Sequence, residues 1–151
     1  MYSWAKEEFG KISGFLASIM YLFAPYHLVD MHFRVSVGET LSFAFIPLIF
    51  LYSKKLIETR KYKFLILGSI SFALLILSHL AIALIAIHLV GVYGFIIWTK
   101  KKTKKIIDLV YWAGSIFIGL LLSSFYWIPA KFEVQYTLYS FTLPTGGFLS
   151  L

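Results

Sequence analysis

The stretch Phe64–Trp98, FLILGSISFALLILSHLAIALIAIHLVGVYGFIIW, runs for about 35 residues without a formal charge. As a single helix rising about 1.5 Å per residue it would reach roughly 52 Å. The hydrocarbon core of a bilayer is only about 30 Å thick. The stretch therefore predicts two membrane helices joined by a tight reversal. The reversal is placed at Ser78-His79, the most polar interior point, although no Gly or Pro marks it.

Working outward, apolar runs separated by polar connections predict about five spans, at 9–24, 39–53, 64–78, 80–98 and 106–128. Pro25 and Pro129 are expected to end the first and last of these, and Pro47 to kink the second. The connections 25–38 and 129–151 fall on one side, and KKLIETRKYK and TKKKTKK on the other. The tail carries a Pro-Thr-Gly-Gly turn signal at 144–147. The fold class is thus all-α: one polytopic helix bundle across residues 1–151.

Composition agrees. The 151 residues are 60% hydrophobic, 19% aromatic and 14% charged, with mean hydropathy +0.82. Soluble domains carry about a quarter charged residues. The lipid bilayer is the natural solvent. Net charge is +7, but the cations sit in short clusters between apolar runs, which points to membrane topology rather than nucleic acid. Twelve of the fourteen Lys and Arg lie at 6–11, 54–63 and 100–105, all on one side of a five-span arrangement. The positive-inside rule makes that side cytoplasmic, as expected of a protein of the plasma membrane. The start, MYSWAKEEFGK, does not read as a signal peptide. There is no cysteine, hence no disulfide, thiolate metal site or cysteine nucleophile. No phosphate-binding Gly loop, GxSxG elbow or HExxH motif is present, which argues against a nucleotide-driven pump.

The opposite face collects His27, Asp30, His32, Arg34, Glu39, His79, Lys131 and Glu133. Ionisable groups near a membrane are costly and commonly mark function. If YHLVDMHFR is helical, His27, Asp30 and Arg34 share a face, and Asp30 and Arg34 can pair. That pair is either a local pin for an interfacial helix or a site. In a site, Arg34 would bind phosphate as a forked cation, and Asp30 would be a base or hold a metal. Glu39, beside Gly38, is either a helix-start carboxylate or one aimed at a substrate. His79 needs a partner at the reversal, and His88, mid-span, is expected to be a buried packing residue. A zinc site from His27, His32 and His79 lacks a zinc spacing. Tyr126 and Trp127 suit an interfacial belt, or stacking on a sugar or head group.

The segments YLFAPYHLVDMHFRVSVGETLSFAFIPLIFL, LILSHLAIALIAI and SSFYWIPAKFE resemble the membrane proteins labelled 6-pyruvoyl-tetrahydropterin synthase-related. They are also similar to YfhO-like proteins and to the GT-C glycosyltransferases. Pro25, Tyr26, Asp30, Arg34, Gly38, Glu39, Pro47, His79, Trp127, Pro129 and Glu133 carry the likeness. The soluble pterin synthase is a zinc enzyme, and nothing here matches its ligands. The resemblance implies a piece of a longer membrane enzyme with an extracytoplasmic site and a principal base outside this chain. It implies a polyprenyl-phosphate-linked sugar as partner. Asp30 and Glu39 would orient or deprotonate the acceptor, or hold a divalent metal. Arg34 and Lys131 would neutralise phosphate, and His27, His79, Tyr126, Trp127 and Glu133 would line the site. The competing expectation is a non-catalytic transporter subunit or packing module for lipid or polysaccharide export.

Overall fold

The computed structural model describes residues 1–133. The Pro-Thr-Gly-Gly signal at 144–147 lies outside them. Among the described residues all regular structure is helical: α1 Tyr2–Phe9, α2 Lys11–Leu22, α3 Pro25–Val29, a π-helix Asp30–Arg34, α4 Val37–Thr59, α5 Tyr62–Ser78, α6 Leu80–Lys100, α7 Ile106–Leu122 and α8 Ser124–Glu133.

The charge-free stretch is two helices, α5 and α6, breaking at His79 as the sequence predicts. His79 is extended (φ −160°), and its Nδ1 accepts the Ile82 N–H at 3.3 Å, capping α6 in place of a Gly or Pro turn. Lys11–Arg34, Val37–Thr59 and Leu80–Lys100 are long and apolar enough to cross a membrane. The pair α7 and α8, bent by 63°, makes four if counted as one broken span. The expected count of about five would need α5, which at 17 residues falls short of that length.

Several ends differ from expectation. The 25–38 connection is helical through Arg34, because Pro25 starts α3 at its first turn rather than ending order. The helix α4 continues past Ser53 through Lys54 and Lys55 to Thr59. The last span breaks at Ser123, not Pro129. The Ser123 hydroxyl donates to the carbonyls of Gly119 (3.0 Å) and Leu120 (3.2 Å), competing with the helical ladder.

The core is Ile49, Phe72, Leu75, Ile76, Ala83, Ala86 and Val90, where α4, α5 and α6 meet. Outward faces stay apolar, as on α6 with Leu84, Ile85, Leu89 and Val92, which suits lipid. The helices α5 and α7 meet through small residues. A Cβ on Gly119 would stand 2.9 Å from the Ser69 carbonyl oxygen, so only glycine permits that approach.

Pro47 shows how a helix breaker is accommodated. Lacking an N–H, it leaves the Phe43 carbonyl without its helical donor. The Tyr21 hydroxyl of α2 donates to that oxygen at 2.9 Å. A proline in one helix thus creates a binding point for another. Tyr21→Phe should lower stability in detergent by about 1–2 kcal/mol, the cost of a buried carbonyl left unpaired. In a Pro47→Ala background, where the helix supplies its own donor, the same change should cost close to nothing. Equal losses in both backgrounds would show that the Tyr21 hydroxyl does not serve the proline.

Candidate functional site

The helix α3 runs into the π-helix, which ends at Val35 in a left-handed conformation (φ 49°). A β-branched residue there is strained, and π-helical turns are frequent at functional sites. The turn reverses the chain so that Asp30 and Arg34 face the first turn of α4. Gly38 lets α4 approach the α5–α6 reversal: a Cβ on it would collide with the Ser78 carbonyl oxygen.

Four elements converge here. Arg34 makes a forked contact with Glu39, Nη1 to Oε2 at 2.8 Å and Nη2 to Oε1 at 2.7 Å. Its Nη1 also donates to Asp30 Oδ1 at 3.0 Å, the i,i+4 pair expected from sequence. The Tyr26 hydroxyl donates to Glu39 Oε2 at 2.8 Å and accepts from Arg34 Nη1 at 3.1 Å. His79 Nε2 stands 3.8 Å from Glu39 Oε1. Because Nδ1 already accepts a hydrogen bond, the neutral ring carries its proton on Nε2, facing that carboxylate.

The electrostatics are unbalanced. Asp30 and Glu39 are buried, whereas the Arg34 side chain is 49% exposed. Asp30 and Glu39 both contact the guanidinium of Arg34. Asp30 Oδ2 is buried without a hydrogen-bond partner. Asp30, Ser36 and Thr40 are among the residues lining a hollow of about 240 Å³.

An apolar groove of about 630 Å³ opens between α5, α6, α7 and α8. Its lining includes Phe72, Leu80 (the residue after His79), Leu120 and Trp127. Lys131 supplies its one charged side chain. The Trp127 indole donates to the Leu120 carbonyl at 3.0 Å, fixing its ring on the groove wall.

The other expected residues divide. His27 packs against Phe43 and Tyr21 (ring centroids 4.2 and 4.7 Å) beside the cluster rather than in it. His32, Tyr126 and Glu133 are exposed. His88 is not buried: it is exposed on α6, bonded to the Leu84 carbonyl of its own helix. Among the described residues no group of three or more His, Cys, Asp or Glu is placed to hold a metal ion. Asp30 and Glu39 face Arg34 instead.

Sequence reasoning missed the bridging role of Tyr26. It precedes Asp30 by four residues, so helical spacing alone puts the two on one face. Reasoning also missed the opposite end of the bundle. Fully buried Asp108 binds Arg60, after α4, and Lys101, after α6, the latter at 2.9 Å. Its other oxygen accepts from the Lys105 N–H at 3.3 Å. Lys54 and Lys55 pair with Glu8 (3.1 Å) and Glu7 (2.8 Å) of α1. A lone acid at the edge of a lysine run was the signal for Asp108.

The family model described as 6-pyruvoyl-tetrahydropterin synthase related domain, a membrane protein, matches residues 1–149. The chain belongs to this family. No curated protein and no solved structure matches it. Family membership and the apolar helices together make this a membrane protein whose surroundings are lipid.

Arg34 is the only cation in contact with buried Asp30 among the described residues. Arg34→Met should therefore measurably destabilise the protein, because it leaves buried Asp30 without its cation. Adding Asp30→Asn should restore part of that loss, because a neutral amide costs less to bury than an unpaired carboxylate. Unfolding by denaturant in detergent measures both. A double variant no more stable than Arg34→Met alone would show that the pair carries no such coupling.

Proposed function

We propose that this chain is part of a membrane glycosyltransferase-like enzyme that uses a polyprenyl-phosphate-linked sugar at the extracytoplasmic face. The observation that carries the reading is adjacency. Glu39, which shares Arg34 with Asp30, stands 3.8 Å from His79, and the next residue, Leu80, is among those lining an apolar groove with a lysine in its wall. Carboxylates suit an acceptor hydroxyl. An apolar groove suits an isoprenoid chain, and Lys131 suits its phosphate. The motif resemblance to GT-C enzymes points the same way.

The roles follow from charge. The Arg34 fork is engaged by Glu39, so Arg34 holds the carboxylates in place and offers phosphate only its exposed edge. Lys131 becomes the principal phosphate contact. Asp30, which has one oxygen unpartnered and lines the hollow with Ser36 and Thr40, is the acceptor-side group. In the transfer the acceptor oxygen attacks the anomeric carbon and its proton passes to a carboxylate. The bond from that carbon to the phosphate oxygen breaks, and phosphate leaves with the electron pair. Positive charge at the leaving oxygen lowers that barrier. Trp127, and Tyr126 nearby, would face the sugar or head group.

This reading takes α5 as a fifth crossing. The cluster at Arg34 then lies outside and the basic end at Asp108 lies in the cytoplasm of the plasma membrane. The cysteine-free chain permits a direct check. In intact cells, Ser36→Cys should react with a membrane-impermeant maleimide and Thr103→Cys should not. The reverse pattern would put the site in the cytoplasm.

Turnover is tested with a labelled polyprenyl-phosphate sugar and the protein in proteoliposomes. Asp30→Asn and Glu39→Gln should each lower kcat by roughly 100-fold or more. Lys131→Gln should chiefly raise KM for the donor. A wild-type protein that binds the donor without releasing polyprenyl phosphate would instead be the transporter subunit or packing module.

A further inference from the structure

At the opposite end, α1 folds back along α2 at Gly10, which adopts φ 90°. This lays α1 against the later part of α4, with the start of α5 nearby. A cleft of about 410 Å³ opens there, lined by Lys6, Glu7, Tyr52, Lys55, Lys63 and Phe64 among others.

The charges in this cleft do not balance. Lys55 Nζ and Lys63 Nζ lie 5.7 and 5.9 Å from the centroid of the same Phe64 ring. Lys6 lines the same space, its Nζ 5.7 Å from the Tyr2 ring centroid. The one carboxylate in the lining is Glu7, bound to Lys55 at 2.8 Å. Three ammonium groups against one carboxylate leave a local charge of +2. Their mutual repulsion is relieved if an anion sits among them. The hydroxyls of Tyr2, Ser3 and Tyr52 add hydrogen-bond donors. Apolar Leu51 and Leu67 form another part of the wall, continuous with the helices that face lipid.

We propose that this cleft binds the phosphate of an anionic phospholipid headgroup, with Lys6, Lys55 and Lys63 as its cationic contacts. A lipid rather than a free anion fits because the polar donors and the apolar wall share one cleft where α4 and α5 leave their apolar stretches. The lysines at 100, 102, 104 and 105 are exposed and line none of the cavities described here, so they serve as the comparison. The site is independent of the glycosyl-transfer reading and lies at the other end of the bundle.

Native mass spectrometry of the purified protein, titrated with phosphatidylglycerol or phosphatidylcholine, tests it. Lys6→Gln with Lys63→Gln should weaken the first phosphatidylglycerol binding event by roughly 30-fold. Both side chains are exposed, and Lys55 keeps its partner Glu7, so the fold is spared. Lys102→Gln with Lys104→Gln removes the same charge and should change binding by less than about threefold. Phosphatidylcholine binding should not respond to either pair. Equal losses from the two double variants would overturn the site, as would equal binding of the two lipids. Displacement of phosphatidylglycerol by matched concentrations of inorganic phosphate would overturn the lipid as its source.

Discussion

Hydrocarbon offers no hydrogen-bond partner, and this constraint shapes the protein from end to end. Every polar group held among the apolar helices must find its partner within the chain or cost several kcal/mol. The serines at 42, 69, 71 and 115 comply locally, each donating to a carbonyl of its own helix. The Phe43 carbonyl, released by Pro47, is met by Tyr21 from another helix. Charges are held at the two ends of the bundle, where helix termini and backbone groups can help to satisfy them.

Arg34 does at one end what Asp108 does at the other. It joins the π-helix to α4, and through Glu39 and His79 brings both to the reversal between α5 and α6. Gly38 makes that geometry possible, since any side chain there would meet the Ser78 carbonyl. The strained Val35 fits the same picture. A left-handed β-branched residue persists only where its surroundings over-determine it, and here the contacts of Arg34 fix both flanks of the turn.

Much of this was legible in the sequence. A charge-free run too long for one span required a reversal, and its most polar point was where the chain breaks. The pairing of Asp30 with Arg34 followed from helical spacing, and the meeting of 25–38 with His79 followed from topology. Other features depended on tertiary contacts with no local signature. Ser123 rather than Pro129 breaks the last span, because a serine breaks a helix only when its hydroxyl turns back on the ladder. His88 was expected in the core because a histidine mid-span looks expensive, but one bond to its own helix reduces that expense on an exposed face. The lysine clusters gave an orientation by their number. That several of them are clasped by Asp108, Glu7 and Glu8 required distant segments to meet.

The two ionic ends solve the same problem to different degrees. Asp108 receives Arg60, Lys101 and a backbone N–H, so both its oxygens are satisfied. Such a carboxylate is a fastener: it has nothing left to offer a ligand. At the Arg34 end two carboxylates divide one guanidinium, and Asp30 retains a buried oxygen with no donor. The Arg34 end thus keeps an oxygen for which the described residues of the chain supply no donor, and the Asp108 end does not.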